Sequence, residues 1–417
     1  MILLSHPTGN AFVRHALQAL SEEQLLAEFW TCIAWNDNSI AARVLPTRLQ
    51  QQFARRTFSL ADASKIKTMP WREIMRLFAP RLRLQSLTTH ETGFCSMDAI
   101  YREMDAKVAR RLSHIPDLKA VYCYEDCALH TFRAAKKLGL RCIYDLPIAY
   151  WETGAHLLSE EAERWPDWEF SLVGTRDSKA KRQRKTEELA LADVVVVPSQ
   201  FVFDSLPEHI RSRKACHIAE FGSPPGSMSP DDMDNDVDHS KPLRVLFAGS
   251  MTQRKGLADL FEAMKLLQRR DVQLIVMGSP LCALKWYQDQ YVDFIYEAPR
   301  AHAQVLELMR SCDVFVLPSI VEGRALVQQE AMSCGLPLIV TANAGGEDLI
   351  EEGVTGFLVP IRSPQKIAEK LDWLAANRDQ LPQMKKSAML KAAQYTWQRY
   401  EDQIAGVVRS DLENYPS

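Results

Sequence analysis

The feature that most constrains this chain is a repeated alternation in its last 175 or so residues. Six short apolar runs, L-R-V-L-F-A-G, V-Q-L-I-V-M-G, V-D-F-I-Y, D-V-F-V-L-P, P-L-I-V-T and G-F-L-V-P, are each followed by a stretch with helical spacing. Apolar runs of this length, rich in Val, Ile and aromatics and separated by amphipathic helices, read as buried parallel strands with helices on both faces. The first half alternates in the same way through M-I-L-L-S, E-F-W-T-C-I-A-W, A-V-Y-C-Y, L-R-C-I-Y-D and A-D-V-V-V-V-P, with a helix expected over Ala11 to Leu20. Residues 37–115 fit less cleanly and read as a helical insertion with weak strand content. Two doubly wound α/β domains are therefore expected, which suits a chain of 417 residues, too long for one ordinary core.

A break in composition marks the boundary. From Gly222 to Pro242 the chain reads G-S-P-P-G-S-M-S-P-D-D-M-D-N-D-V-D-H-S-K-P, acidic, proline-rich and almost without apolar residues. Such a segment cannot bury enough surface to fold alone. The expected organisation is a first domain over 1–222, a linker and hinge over 223–241, a second domain over 242–392 and a C-terminal helical segment over 393–417.

Composition excludes several classes. Apolar content is 47%, charged content 25% and net charge -3, so a buried interior is expected and a nucleic-acid partner is not, because such domains usually carry a strong basic excess. No apolar stretch approaches membrane-spanning length, and the N-terminus lacks a basic start and a long hydrophobic run. A soluble cytoplasmic protein is expected. The nine cysteines are scattered and include no C-x-x-C pair; they read as buried free thiols in a reducing compartment, with no zinc site.

The candidate site lies where strands end. In L-F-A-G-S-M-T-Q-R-K-G, Gly249 closes a strand, Gly256 opens a helix, and Arg254 and Lys255 stand between them. Two cations beside a helix N-terminus suit a diphosphate. In P-S-I-V-E-G-R-A-L-V-Q-Q-E-A-M, Glu322 sits in the turn after a strand, and Glu330 falls inside the following helix, expected to start near Arg324. Gly323 lets the backbone approach a ligand closely, and the amides of Arg324, Ala325 and Leu326 lead the helix. Glu330 suits the two hydroxyls of a ribose or, alternatively, surface pairing on its own helix. Glu322 suits the hydroxyls of a sugar or positive charge at a reacting carbon.

These stretches, with G-G-E-D-L-I-E-E-G-V-T-G-F-L-V-P, resemble the donor half of a retaining glycosyltransferase of family 4, which has the two-domain GT-B fold. The likeness extends to A-D-V-V-V-V-P-S-Q-F-V-F-D-S-L and to T-W-Q-R-Y. It covers about residues 185 to 410 well and the first 150 loosely. The resemblance implies that Lys255 binds the donor diphosphate, Glu330 the ribose and Glu322 the transferred sugar. It also implies that the backbone of Gly323, Arg324, Ala325 and Leu326 touches phosphate and sugar, that Gly278, Ser279, Glu297 and Ala298 hold the base, and that the C-terminal helix crosses back to the first domain. The implied co-substrate is a UDP- or GDP-sugar, with no metal or other cofactor, and the acceptor is a glycan, a lipid-linked molecule or a small molecule, in surface polysaccharide or glycoconjugate synthesis.

Two departures stand out. Ser250 occupies the place where the family commonly has arginine, leaving Arg254 as the second cation. No histidine follows the strand near position 147; Asp145, or a residue of Y-E-D at 124–126, is the candidate substitute, with a strand-end capping role as the alternative for Asp145. Retaining transfer of this class needs no protein base, since the leaving phosphate takes the acceptor proton. In the first domain Gly9 and Asn10 occupy the first strand-to-helix turn, where they would approach the diphosphate or acceptor. The cluster S-K-A-K-R-Q-R-K-T-E-E at 178–188 reads as a solvated helix face, or else as contact with an anionic lipid surface, and Trp151 as a sugar-stacking wall or as core. Other readings of the same fold are an inactive nucleotide-sugar-binding protein, an epimerase, and an NAD-dependent oxidoreductase, the last disfavoured because no G-x-G-x-x-G follows a strand.

Overall fold

A computed structural model describes residues 1–35, 53, 56–60, 62–224, 226 and 237–413. Most of the acidic segment at 223–241 and part of 37–115 lie outside the described residues.

Two parallel sheets form the frame. The first contains β1 (Ile2–Ser5), β2 (Leu26–Thr31), β3 (Ile66–Thr68), β4 (Ala120–Tyr124), β5 (Arg141–Asp145), β6 (Val194–Val197) and β7 (Ala215–Ile218), in the order β3-β2-β1-β4-β5-β6-β7. The second contains β8 (Leu243–Ala248), β9 (Val272–Met277), β10 (Phe294–Glu297), β11 (Val314–Leu317), β12 (Leu338–Val340) and β13 (Gly356–Leu358), in the order β10-β9-β8-β11-β12-β13. Every strand pairing is parallel. Both sheets are doubly wound, as the alternation predicts, and each of the six apolar runs of the second half supplies one strand. The sequence reading missed β3 and β7, the two short edge strands of the first sheet. Neither carries the fully buried apolar run that gave the central strands away.

In the second sheet the strand order reverses between β8 and β11. Open α/β sheets bind ligands in the crevice at the carboxyl ends of such a pair. The loops leaving β8 and β11 are the two that carry Arg254–Lys255 and Glu322.

Each domain lends an element to the other. Helix α1 (Ala11–Glu22) follows β1, α2 (Trp71–Phe78) and α3 (Met97–Arg111) lie between β3 and β4, α4 (Leu129–Lys137) joins β4 to β5, and α5 (Trp151–Arg164) follows β5. Beyond α5 a short 3-10 segment places Trp168, 1% exposed, in the core of the second domain against Phe261, Trp286 and Tyr287. Around it, Arg164 pairs with Asp259 at 2.6 Å and Gln253 donates to Glu161 at 2.7 Å. In return the last helix packs on α1 of the first domain. Following α6 (Lys179–Leu191), α7 (Gln200–Ser205), α8 (Glu208–Arg211), α9 (Leu257–Leu267), α10 (Leu284–Gln290), α11 (His302–Arg310), α12 (Leu326–Ser333), α13 (Pro364–Ala376) and α14 (Leu381–Ala392), it is α15 (Trp397–Glu413). It buries Tyr400, Ile404 and Val408 in a first-domain cluster with Phe12 and Phe221, and His15 lies 2.6 Å from Glu401.

The basic cluster on α6 is neither a bare solvated face nor a free cationic patch. Lys181 pairs with Asp177 at 3.0 Å and Asp98 at 3.2 Å, Arg184 with Asp126 at 2.6 Å, and Lys185 with Glu125 at 3.3 Å. Three of its cations thus turn inward to carboxylates, two of which belong to the Y-E-D run. Among the described residues no helix is long and apolar enough to cross a membrane, and all nine cysteines are free, six of them buried.

Candidate functional site

A cleft of about 1060 Å³ opens between the domains at the switch point of the second sheet. Its second-domain wall is made by the loops after β8 and β11 and the start of α12. Gly256, between the two cations and α9, has a φ of +76°, and a Cβ there would lie 2.1 Å from the Pro318 carbonyl oxygen. Only glycine lets the β8 and β11 loops approach this closely. The contact is reinforced by the Ile320 amide, which donates to the Arg254 carbonyl at 2.8 Å.

Within this corner Lys255 Nζ lies 2.6 Å and Arg254 Nη1 2.7 Å from Glu322 Oε1. Arg254 Nη1 also donates to the Val321 carbonyl at 2.9 Å. Burial works to raise the Glu322 carboxyl, but the Arg254 and Lys255 charges outweigh it and hold the group below its ordinary range. Burial also lowers Lys255, with Glu322 opposing it. The triad carries net positive charge in a partly desolvated place, a good setting for an anionic ligand.

The remaining wall residues sort clearly. Ser250, Gly323, Arg324, Ala325, Leu326 and Glu330 line the cleft with the triad. The helix begins at Leu326, two residues later than the sequence suggests, and Glu330 still faces the cleft, where its Oε1 lies 3.0 Å from His302 Nε2. The Arg324 side chain is buried and turned into the second domain, bidentate to Asp348 at 2.8 and 3.0 Å and donating to Gln329 at 3.0 Å. The Ala325 amide, expected to face phosphate, donates instead to the Ala344 carbonyl at 3.0 Å. Gly278 and Ser279 line a smaller recess of about 210 Å³ that shares Gly249, Ser250, Met277, Arg300 and Val305 with the cleft. Glu297 is held by Arg300 beside it, and its carbonyl accepts from the Gly278 amide at 3.1 Å. Neither Glu297 nor Ala298 is among the lining residues.

From the first domain the cleft receives Phe12, Pro147, Ile148 and Phe221. The Phe12 and Phe221 rings stack at 4.8 Å. Gly9 and Asn10 do not line it; the Gly9 carbonyl is taken by Arg14 at 2.7 Å, and Asn10 is exposed before α1. Asp145 is likewise absent from the wall. It is 2% exposed and accepts from the Tyr122 hydroxyl at 2.7 Å, while burial pushes its carboxyl up to about 7. The strand end buries it because β5 is a central strand, and the chain reaches the cleft only two residues later, at Pro147. Sequence reasoning missed Phe12, Phe221, Arg300 and His302, which carry no spacing signal and meet only in the folded chain.

The domains touch directly beside the triad. A Cβ on Gly323 would lie 1.7 Å from the Pro147 carbonyl oxygen, the Gly323 carbonyl accepts from Ser199 Oγ at 2.7 Å, and the Ala149 amide donates to the Glu322 carbonyl at 3.3 Å.

This architecture is the GT-B fold of glycosyltransferases. Sucrose-phosphate synthase from Thermosynechococcus elongatus superposes with a TM-score of 0.67 at 16% identity, covering 99% of each chain. HepE of Anabaena, solved with UDP-glucose, superposes with a TM-score of 0.61 at 15% identity over 98% of this chain and 99% of that one. Residues 230–391 match the family described as glycosyl transferases group 1. Among curated relatives, a D-inositol 3-phosphate glycosyltransferase of Catenulispora acidiphila is 28% identical over 185 residues, 40% of this chain and 44% of that protein. A putative colanic acid biosynthesis glycosyltransferase of Salmonella typhimurium is 28% identical over 184 residues, 40% of this chain and 45% of that one. The matches thus span less than half the length of these relatives.

Proposed function

We propose that the protein transfers a glycosyl unit from a nucleotide diphosphate sugar, UDP- or GDP-linked, to a hydroxyl acceptor with retention of anomeric configuration. The observation that carries this reading is the Arg254–Lys255–Glu322 triad at the switch point, opening on a cleft of about 1060 Å³. That volume matches a nucleotide-sized ligand. The group 1 family match and the UDP-glucose complex of HepE support the same reading.

In this reading Lys255 and Arg254 neutralise the diphosphate, Glu330 takes the ribose hydroxyls, and Glu322 orients the sugar. The recess at Gly278 and Ser279 receives the base. Transfer forms a bond from an acceptor hydroxyl oxygen to the anomeric carbon and breaks the bond from that carbon to the phosphate oxygen. The acceptor proton passes to the leaving diphosphate on the same face, so the protein supplies positioning and charge and no base. The two cations perform the neutralisation that a metal performs elsewhere. The acceptor is a glycan, a lipid-linked molecule or a small molecule, in the synthesis of a surface polysaccharide or glycoconjugate.

The test is a thermal-shift screen against nucleoside diphosphates and their sugars. A true donor at ~100 times its dissociation constant adds about 2.7 kcal/mol of stability. No shift with any uridine, guanosine or adenosine diphosphate would refute the donor site.

A further inference from the structure

The cationic loop has a second face. Through Ser250, Thr252 and Arg254 it forms one wall of another cavity, of about 390 Å³, whose opposite wall is the first domain's Trp151, Gly154 and Leu158 on α5, with Asp177 and Lys185. The two cavities share Ile148, Ser250 and Arg254, so they meet at the Arg254 side chain. Glu322 and Lys255 line only the larger one.

The chemistry of this second cavity is specific. Its cations are already engaged: Lys185 lies 3.3 Å from Glu125 and 3.7 Å from Asp177, and Arg254, held by Glu322, is in the donor reading turned over to the diphosphate. With the donor in place, an anionic acceptor would find no further cation there. Thr252 is 6% exposed, and its Oγ1 is buried without a hydrogen-bond partner among the described residues. A buried hydroxyl left unpaired is costly unless a ligand completes it. The Trp151 indole is fixed at the wall by its Nε1, which donates to Thr186 Oγ1 at 3.0 Å, with the Arg182 guanidinium 5.8 Å from its ring centre. Ala149, Leu158 and Val321 give the cavity an apolar lining beside these polar groups. The volume is near the low end of the ~300–1,000 Å³ range of small-molecule pockets, suited to a ring or two.

We propose that this second cavity is the acceptor pocket and that it takes a neutral, hydroxyl-rich ring, a sugar or cyclic polyol, with a hydroxyl bonded to Thr252 Oγ1. The assignment rests on the donor reading above. It places the acceptor on the far side of Arg254 from the nucleotide, with transfer occurring where the cavities meet.

The experiment is ligand-observed NMR on the full chain, with and without a nucleoside diphosphate, using methyl hexosides, myo-inositol and hexose 6-phosphates as probes. Two variants accompany the wild type. Gly154→Leu fills the cavity from a helical position whose added Cβ meets only Val321 Cγ1, at 3.8 Å. Thr252→Val removes the hydroxyl at constant shape. The expected result is binding of at least one neutral ring to the wild type, weakened at least about tenfold by Gly154→Leu and roughly fivefold by Thr252→Val, while the nucleotide-induced thermal shift is unchanged in both. The proposal is overturned if no neutral ring binds the wild type, if only the phosphorylated sugars bind, or if binding survives Gly154→Leu. Should that variant fail to fold, undiminished binding by Thr252→Val overturns it alone. A missing nucleotide shift in the wild type is a separate outcome, and it sinks the donor reading instead.

Discussion

Lys255 Nζ and Glu322 Oε1 lie 2.6 Å apart although their loops follow β8 and β11, which two strands, three helices and their connections separate in the chain. The pair exists because those strands are neighbours at the point where the sheet order reverses. With Arg254 on the same oxygen, the carboxylate holds two cations together in a place that an anionic ligand would enter.

Replacing Lys255 by alanine is expected to lower transfer by ~10²–10³-fold, the range for removing one preorganised electrostatic group. Glu322→Gln is expected to act comparably, and circular dichroism should show both variants folded. Steady-state rates within threefold of wild type in both would contradict the assigned roles.

Glu330 faces the cleft, with the exposed His302 against it among the described residues. In the wild type a nucleoside diphosphate should bind more tightly than its 2′-deoxy form. Glu330→Ala should weaken the ribonucleotide by ~10-fold, the worth of a charge-assisted hydrogen bond, and erase the discrimination. Calorimetric titration with both nucleotides reads this directly; retained discrimination would remove Glu330 from the ribose.

Two buried groups pull the pH dependence of stability in opposite directions. Burial raises Asp145 to about 7 and lowers His6 to about 4. The folded state therefore holds the Asp145 proton that the unfolded chain releases above its ordinary value near 3.8, so this group's contribution falls as pH rises from about 4 to 7. His6 is neutral when folded and protonated when unfolded between about 4 and 6.5, so its contribution rises over that window. Asp145→Asn should tilt the stability curve upward with pH and His6→Phe should tilt it downward. Urea denaturation from pH 4.5 to 7.5 measures both slopes, and parallel curves for the two variants would refute the assignment.

The first domain depends on α15. Tyr400 is 1% exposed among Phe221, Ile404 and Tyr122. Tyr400→Ala should cost ~3–5 kcal/mol, as large-to-small changes of buried aromatics do. A change in unfolding free energy below 1 kcal/mol would show that the helix is peripheral.

With two cations facing the cleft, transfer is expected to continue after chelation. Incubation with EDTA followed by gel filtration should leave the rate within twofold of the untreated enzyme. A loss restored by a divalent ion would show that the diphosphate needs a metal beyond Arg254 and Lys255.

What the sequence determined by itself was periodic or contiguous. Buried parallel strands must be apolar on both faces, so β8, β9, β11 and β12 stand out as runs, and the turns after them display Arg254, Lys255, Glu322 and Gly323 in fixed order. The edge strands β3 and β7 stayed hidden because an edge need not be buried on both faces. Tertiary structure alone decided which turns meet. It set Glu322 between two cations, turned Arg324 away to Asp348, buried Asp145 under Tyr122, and brought Phe12, Phe221, Arg300 and His302 to one cleft. It also carried Trp168 into the second domain's core and Tyr400 into the first's. Such pairings follow from strand order and from which surfaces exclude water together, and neither leaves a spacing in a single chain.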